Sequence, residues 1–335
     1  MVLESIITAI EAEKHPRKLI PFGLLLTVIA IMLARSIFPQ YASVVFVFLI
    51  VMASIPVMVQ IIREEEKKDL GDFKEITLLK EHSKAITAFL TLFLGILLGV
   101  MFWYILPSLA ILLALISASY FLRNEWNIKP AYFWTITIII SILITLVMHS
   151  AYPIGQESQT FSAQIQTLNA INNSNITGQV TAFDSFRNIF FNNMKVLIFC
   201  IVFSFIYGAG AIFILTWNAS VIGVALGNYL RGQLSQIASW VGLEQVAGYL
   251  HVATCGILRY SIHGIPEIAA YFIGALGGGI ISVAVIKHHF KSKKFEHIVL
   301  DSTDLILLAI GILLLAAVLE VWVTPYVFTS LCQIG

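Results

Sequence analysis

The chain has 335 residues, of which 59% are hydrophobic and 12% charged, with a mean hydropathy of +0.90 and a net charge of +1. A soluble domain is about half apolar and a quarter charged, so a water-soluble surface is excluded. The near-zero net charge excludes the basic footprint that a nucleic-acid partner requires, which leaves membrane lipid as the first partner.

Residues 1–18 carry Lys14, Arg17 and Lys18 and lead into an apolar run from Leu19 to Phe38. That run is too long for a cleaved signal peptide and reads as a signal anchor retained in the membrane. A helix of roughly 17 to 25 apolar residues crosses the hydrocarbon core. Further spans are expected over Tyr41–Ile62, Ala85–Leu106, Ala131–Ser150, Val196–Trp217, Ile265–Ile286 and Leu305–Val323. Ser108–Leu122 follows Pro107 and completes a tight hairpin with the span before it. Between Asn218 and Tyr260 the apolar character is interrupted by Gly227, Arg231, Gly232, Gly242, Glu244 and Gly248, so one crossing flanked by a broken or re-entrant piece is expected there. The fold class is therefore an all-α polytopic bundle of about nine spans.

Lys and Arg stay on the cytoplasmic side. With the N-terminus inside, alternate connections hold fifteen of the 20 Lys and Arg residues, including Arg63, Lys67, Lys68, Arg123, Lys129, Lys287 and Lys291, and the C-terminus falls outside. The mixed-charge loop 63–84, with Leu70, Phe73, Ile76 and Leu79 at near-helical spacing, reads as a short amphipathic helix at the inner surface. The outer loop 151–186 is rich in Asn, Gln, Ser and Thr. Phe161, Ile165, Leu168 and Ile171 share one helical face there, as in a second interfacial helix. Its Asn172-Asn173-Ser174 and Asn175-Ile176-Thr177 match the glycosylation sequon, a short motif. The chain divides into an N-terminal membrane region, 1–185, of about five spans and a C-terminal one, 186–335.

An ionisable side chain at membrane depth is costly and marks function by default. Arg259, His263 and Glu267 lie around a Gly264-Ile265-Pro266 turn ahead of a glycine-rich helix, and Glu320 sits among apolar neighbours in the last span. Pro266 suits the first turn of a helix and Glu267 its dipole, which is the plain structural meaning. With the expected topology, all four polar residues fall within about two helical turns of the outer surface, and Arg259 is expected to pair with Glu267 or Glu320, because a lone buried charge is expensive. Asn218 fits a helix cap, Asp301 with Asp304 the N-terminus of the final span, and His149 and His251 are lone histidines in apolar runs. Cys200, Cys255 and Cys332 lack C-x-x-C spacing and read as small apolar packers rather than zinc ligands or a disulfide framework. H-E-x-x-H, G-x-S-x-G and G-x-x-x-x-G-K-[ST] are absent, so no catalytic residue, metal or cofactor is assigned.

The run Phe203-Ser204-Phe205-Ile206-Tyr207-Gly208-Ala209-Gly210, then Trp217-Asn218-Ala219-Ser220-Val221-Ile222-Gly223, His263-Gly264-Ile265-Pro266-Glu267-Ile268-Ala269-Ala270 and Glu320-Val321-Trp322-Val323-Thr324-Pro325 resembles the stage II sporulation protein M family over roughly residues 186–328. The resemblance implies an all-helical membrane protein that works with other envelope proteins, since the namesake belongs to a membrane complex remodelling peptidoglycan during engulfment, and it implies no catalysis in this subunit. It singles out Asn218, His263, Gly264, Pro266, Glu267 and Glu320. A non-enzymatic scaffold or partner subunit, possible as a homo-oligomer, is the leading expectation. A transporter or channel with a polar site at Arg259, His263, Glu267 and Glu320 is the first alternative, and an intramembrane hydrolase using His263 and Glu267 the second.

Overall fold

A computed structural model describes residues 8–69, 75–123, 130–149, 152, 155–174, 181–207, 210–239, 241–286 and 293–332. Among them every regular element is helical, as a chain in hydrocarbon requires, because only a helix or a closed barrel pairs all its backbone groups without water. In chain order the helices are α1 (Ala9–Lys14), α2 (Leu19–Ile37), α3 (Ala42–Asp69), α4 (Glu75–Ile105), α5 (Pro107–Leu122), α6 (Pro130–His149), α7 (Glu157–Thr160), α8 (Ser162–Ser174), α9 (Ala182–Tyr207), α10 (Ala211–Gln236), α11 (Gly242–Ile286), α12 (Lys293–Val318) and α13 (Thr324–Leu331). A π-helical stretch, Leu319–Val323, joins the last two. Seven of the described helical stretches are long and apolar enough to cross a membrane, and α5 and the Tyr132–Val147 part of α6 are shorter apolar helices. The chain is a multi-pass membrane protein.

Local signals set several helix starts. Thr8 accepts the Glu11 N–H at 3.3 Å, and Thr181 accepts that of Asp184 at 3.1 Å while donating to its carboxylate at 2.6 Å, which satisfies amide hydrogens that a first turn leaves unpaired. Pro107 opens α5, where a missing N–H costs nothing. Gly242 enters α11 at φ +68°, a backbone conformation that favours glycine.

The polypeptide forms two compact units. The first comprises residues up to Ala53, Thr91–Asn172 and Thr216–Asn228. In it α2 and α4 approach closely through Gly23, Gly95 and Gly99; a Cβ on Gly99 would stand 2.7 Å from that of Thr27. On α10, Gly223 meets Leu97 and Val100 and Gly227 meets Tyr104. Small residues four apart let helices pack without side chains between them, the usual route to association in lipid. Beside these contacts lies an aromatic layer in which Trp103 packs on Tyr152 and Phe161 on both Phe46 and Tyr104. Gln164 is fully buried and donates to the Ser43 carbonyl at 2.9 Å and to Ser220 at 3.2 Å.

The second unit comprises Ser54–Leu90, Asn173–Leu215 and Tyr229–Gly335. Its centre is α11, whose Gly274 and Gly278 receive Leu197 and Ile201 of α9 on one side while Gly277 meets Ser302 of α12 on the other. Ser204 donates to the Ala275 carbonyl at 2.6 Å, and Phe272 stacks on Phe89.

Four sequence expectations change. The run Val196–Trp217 is not one span: α9 ends at Tyr207 and α10 begins at Ala211, so Asn218 lies inside a helix and caps none. Residues 218–260 contain no re-entrant piece among those described; α10 continues to Gln236, and α11 then runs unbroken from Gly242 to Ile286. Pro266 is interior to α11 rather than at its first turn, and Asp301 and Asp304 are interior to α12. The outer-loop helix α8 forms, but Phe161 and Gln164 at its start are buried in protein rather than lying on a membrane surface. Of the expected amphipathic stretch, residues 63–69 belong to α3 and 75–84 to α4; residues 70–74 and the side chains of 65–81 lie outside the described residues, as do the second sequon and the lysines at 287 and 291.

Candidate functional site

The two longest apolar stretches, α11 and the continuous run α12–π turn–α13, lie antiparallel in the second unit. Along their contact, residues four apart on one helix meet residues four apart on the other. Cys255 is disulfide-bonded to Cys332, with Cα atoms 5.6 Å apart. One turn on, the Arg259 guanidinium lies 4.9 Å from the centre of the Phe328 ring. At the next turn His263 Nδ1 and Thr324 Oγ1 are 3.1 Å apart, sharing a proton as donor and acceptor. At the fourth, α11 at Glu267 packs on the π-helical stretch that carries Glu320. Tyr271, fully buried, donates to Glu267 Oε1 at 2.8 Å. Beyond this level the seam changes character, and Gly277 brings the α11 backbone against α12.

The seam brings Arg259, His263, Glu267 and Glu320 to one side of α11, spread over successive turns rather than gathered in one layer. It pairs them differently. Arg259 makes no ion pair with either carboxylate; the guanidinium is exposed and ringed by Phe328, by Tyr229 at 5.6 Å and by Tyr260 at 6.0 Å. The reason is helical rise. Eight residues separate Arg259 from Glu267, about 12 Å along the axis, whereas an aromatic face at its own level attracts a cation. His263 and Glu267 share a helix face yet bond to separate partners, Thr324 and Tyr271. Gly264 makes no turn: it is helical, and a Cβ there would meet open space.

Of the secondary candidates, Asn218 is half-buried in α10 within the first unit. His149 ends α6 and its side chain lies outside the described residues. His251 Nε2 is 3.7 Å from the Cys255 sulfur. Among the described residues, no group of three His, Cys, Asp or Glu side chains could hold a metal ion. Sequence reading missed three participants. The disulfide joins cysteines 77 residues apart, a pairing that spacing does not carry. Thr324 stood only in the quoted Glu320-to-Pro325 motif, and Phe328 lies beyond the last expected span. The signal for all three is the four-residue step back from Cys332 to Glu320.

Glu320 sits in the π-helical stretch Leu319–Val323. π turns are rare and collect at functional positions. The Thr324 N–H donates to the Leu319 carbonyl, five residues back, and Pro325, which has no N–H to offer the carbonyl of Val321, comes next. Both helices thus carry a proline beside the carboxylate pair, Pro266 on one and Pro325 on the other.

Comparison with known proteins places this seam in a family. The description of stage II sporulation protein M matches residues 131–325, more than half of the chain, starting well before the stretch that carried the likeness by eye and including α6 and α8. An uncharacterized protein of Methanocaldococcus jannaschii is 27% identical over 171 residues, covering 50% of this chain and 86% of its own length. No solved structure matches. The matched region contains α11 with Arg259, His263 and Glu267, and it runs through Glu320 to Pro325. The chain belongs to the stage II sporulation protein M family.

Proposed function

We propose that the chain is a non-enzymatic membrane subunit that joins other proteins of the cell envelope, with its N-terminus in the cytoplasm and its C-terminus outside. One observation carries the reading: the polar residues of the seam are engaged with one another, through a disulfide, a ringed guanidinium and a histidine–threonine bond, as in a braced scaffold. Sidedness is supported by the lysine placement and by the disulfide, since such bonds persist in oxidising compartments outside the cytosol. Crosslinking in native membranes tests the role: envelope proteins recovered reproducibly with the full chain support it, and a chain recovered alone overturns it.

A second reading, a transporter or channel, is favoured by two carboxylates, Glu267 and Glu320, on neighbouring apolar helices. Two carboxylates there are expensive unless a proton or cation is shared between them. Flux into proteoliposomes that disappears in Glu267→Gln and Glu320→Gln supports this reading in place of the scaffold.

A further inference from the structure

The helix α11 is too long for a bilayer. Its 45 residues extend roughly 67 Å at 1.5 Å each, against a hydrocarbon core of about 30 Å. The antiparallel seam shows which part remains inside. On the partner stretch, Leu305 to Thr324 is a twenty-residue run whose one charged residue is Glu320, which is the length a crossing needs. The portion of α11 opposite, from His263 onward, shares that depth. Arg259, Tyr260 and Phe328 then lie at the boundary, where aromatic and basic side chains anchor spans. Cys255 and Cys332 stand one turn past Arg259, so their disulfide is on the water side of that boundary, where thiol chemistry can reach it.

The disulfide fastens a helix that has few other ties. With eight residues, α13 is too short to hold its shape alone in water, and Tyr326 and Leu331 are 74% and 61% exposed. Thr324, Phe328 and Cys332 tie it to α11 through His263, Arg259 and Cys255 in turn. The two sulfurs are not equivalent. Cys332 caps the end of α13, and the ends of helices open most readily, which uncovers its sulfur. Cys255 is buried in the middle of α11 and has a histidine at its side: His251, one turn earlier, places Nε2 at 3.7 Å from Cys255 Sγ. An imidazole N–H beside a sulfur stabilises the thiolate and makes it the better leaving group in thiol–disulfide exchange. The exposed sulfur is thus the one to be attacked and the sheltered one the one to leave.

We infer that Cys255 and Cys332 form a reversible thiol–disulfide switch, opened by a dithiol at Cys332, with His251 as the positioning residue that receives the departing Cys255 thiolate, and that opening it releases α13 from α11. A thiolate of the dithiol attacks Cys332 Sγ and forms a mixed disulfide. The electron pair of the old S–S bond leaves with Cys255 Sγ, which accepts the His251 N–H. The second thiol of the dithiol then closes on the first, and Cys332 departs as a thiolate. Two electrons pass to the cystine, the dithiol becomes a disulfide, and its two protons end on the freed cysteines. Released, α13 takes Phe328 from Arg259 and Thr324 from His263, which bares both polar side chains. The inference stands apart from the scaffold reading, because a transporter could be fastened in the same way, and envelope crosslinking tests one without touching the other.

The full chain in lipid nanodiscs tests it, with dithiothreitol as the dithiol. Thiols are counted by a mass-tagged maleimide after acid quenching and denaturation, so Cys200 adds one constant tag. The wild type is expected to gain two tags without denaturant and to lose them again in oxidised glutathione. On reduction, amide exchange over Thr324–Leu331 is expected to quicken about tenfold or more, while that over Gly274–Gly278 stays as it was. A bond that yields only when the chain unfolds, one that does not re-form, or exchange over α13 unmoved by reduction overturns the inference, and none of these needs a substitution. His251→Phe is expected to slow reduction about tenfold, the worth of a hydrogen bond to a charged group. His251→Gln, which keeps a side-chain N–H, is expected to recover most of the rate. Equal rates in all three proteins, or a Gln variant as slow as the Phe variant, overturns the role of His251.

Discussion

The two units hold their helices together by different means. In the first, α2 and α4 meet through Gly23, Gly95 and Gly99, backbone against backbone, with an aromatic layer and a buried glutamine beside them. In the second, α11 uses the same device only along its lower half, at Gly274, Gly277 and Gly278. Over its other half side chains of three different chemistries bridge the gap. Glycine contacts leave no room for a reactive group, so the first unit's tightest seam is structural. In the second, polar side chains occupy the seam where the glycines stop.

That contrast can be broken at several points. The largest effect is expected from Cys332→Ser, which releases the end of the side-chain seam. Loss of a disulfide typically costs about 2–4 kcal/mol, read as a lower thermal midpoint in detergent, and the double variant Cys255→Ser with Cys332→Ser should fall no further. Next, Gly278→Ala puts a methyl group 2.6 Å from the Ile201 carbonyl oxygen. Overpacking of this kind costs about 1–3 kcal/mol, whereas Gly232→Ala, with nothing within 4 Å, is the control that should unfold like the parent. Tyr271→Phe removes the donor to Glu267 and should cost about 1 kcal/mol, an effect that diminishes when Glu267→Gln is already present, measured by a double-variant cycle. The smallest effect is expected at the membrane boundary. Phe328→Leu keeps the apolar bulk but removes the ring under Arg259, worth about 0.5–1 kcal/mol at an exposed site; Arg259→Gln gives up Tyr229 and Tyr260 as well and should cost at least as much, and Phe328→Leu should add little once Arg259→Gln is present.

Much of this architecture was legible in the residues. Apolar runs of the right length fix the helices, because hydrocarbon leaves the backbone no alternative. What failed was local punctuation. Pro266, Asn218 and Asp301 are all residues that start helices in water, yet each lies inside one here. A membrane helix keeps going past a proline because the alternative, several unpaired amides in lipid, costs more than one lost bond. Partner choice was also illegible. Charge arithmetic assigned Arg259 to a carboxylate, whereas the nearest groups at its own level are rings, and sequence spacing cannot reveal which residues of a distant helix stand opposite.

The wide turn at Leu319–Val323 has a consequence for everything after it. An α-helix advances about 100° per residue, so positions four apart drift steadily around the axis. A turn with more residues rotates less per step, so it brings Thr324 closer to the bearing of Glu320, and Phe328 and Cys332 follow from there at the α-helical step. Deleting one residue from this stretch would swing the remaining C-terminal segment through roughly a quarter of a revolution. The terminal cysteine would then face away from its mate, and the arginine would lose its floor. A single extra amino acid keeps the end of the protein fastened.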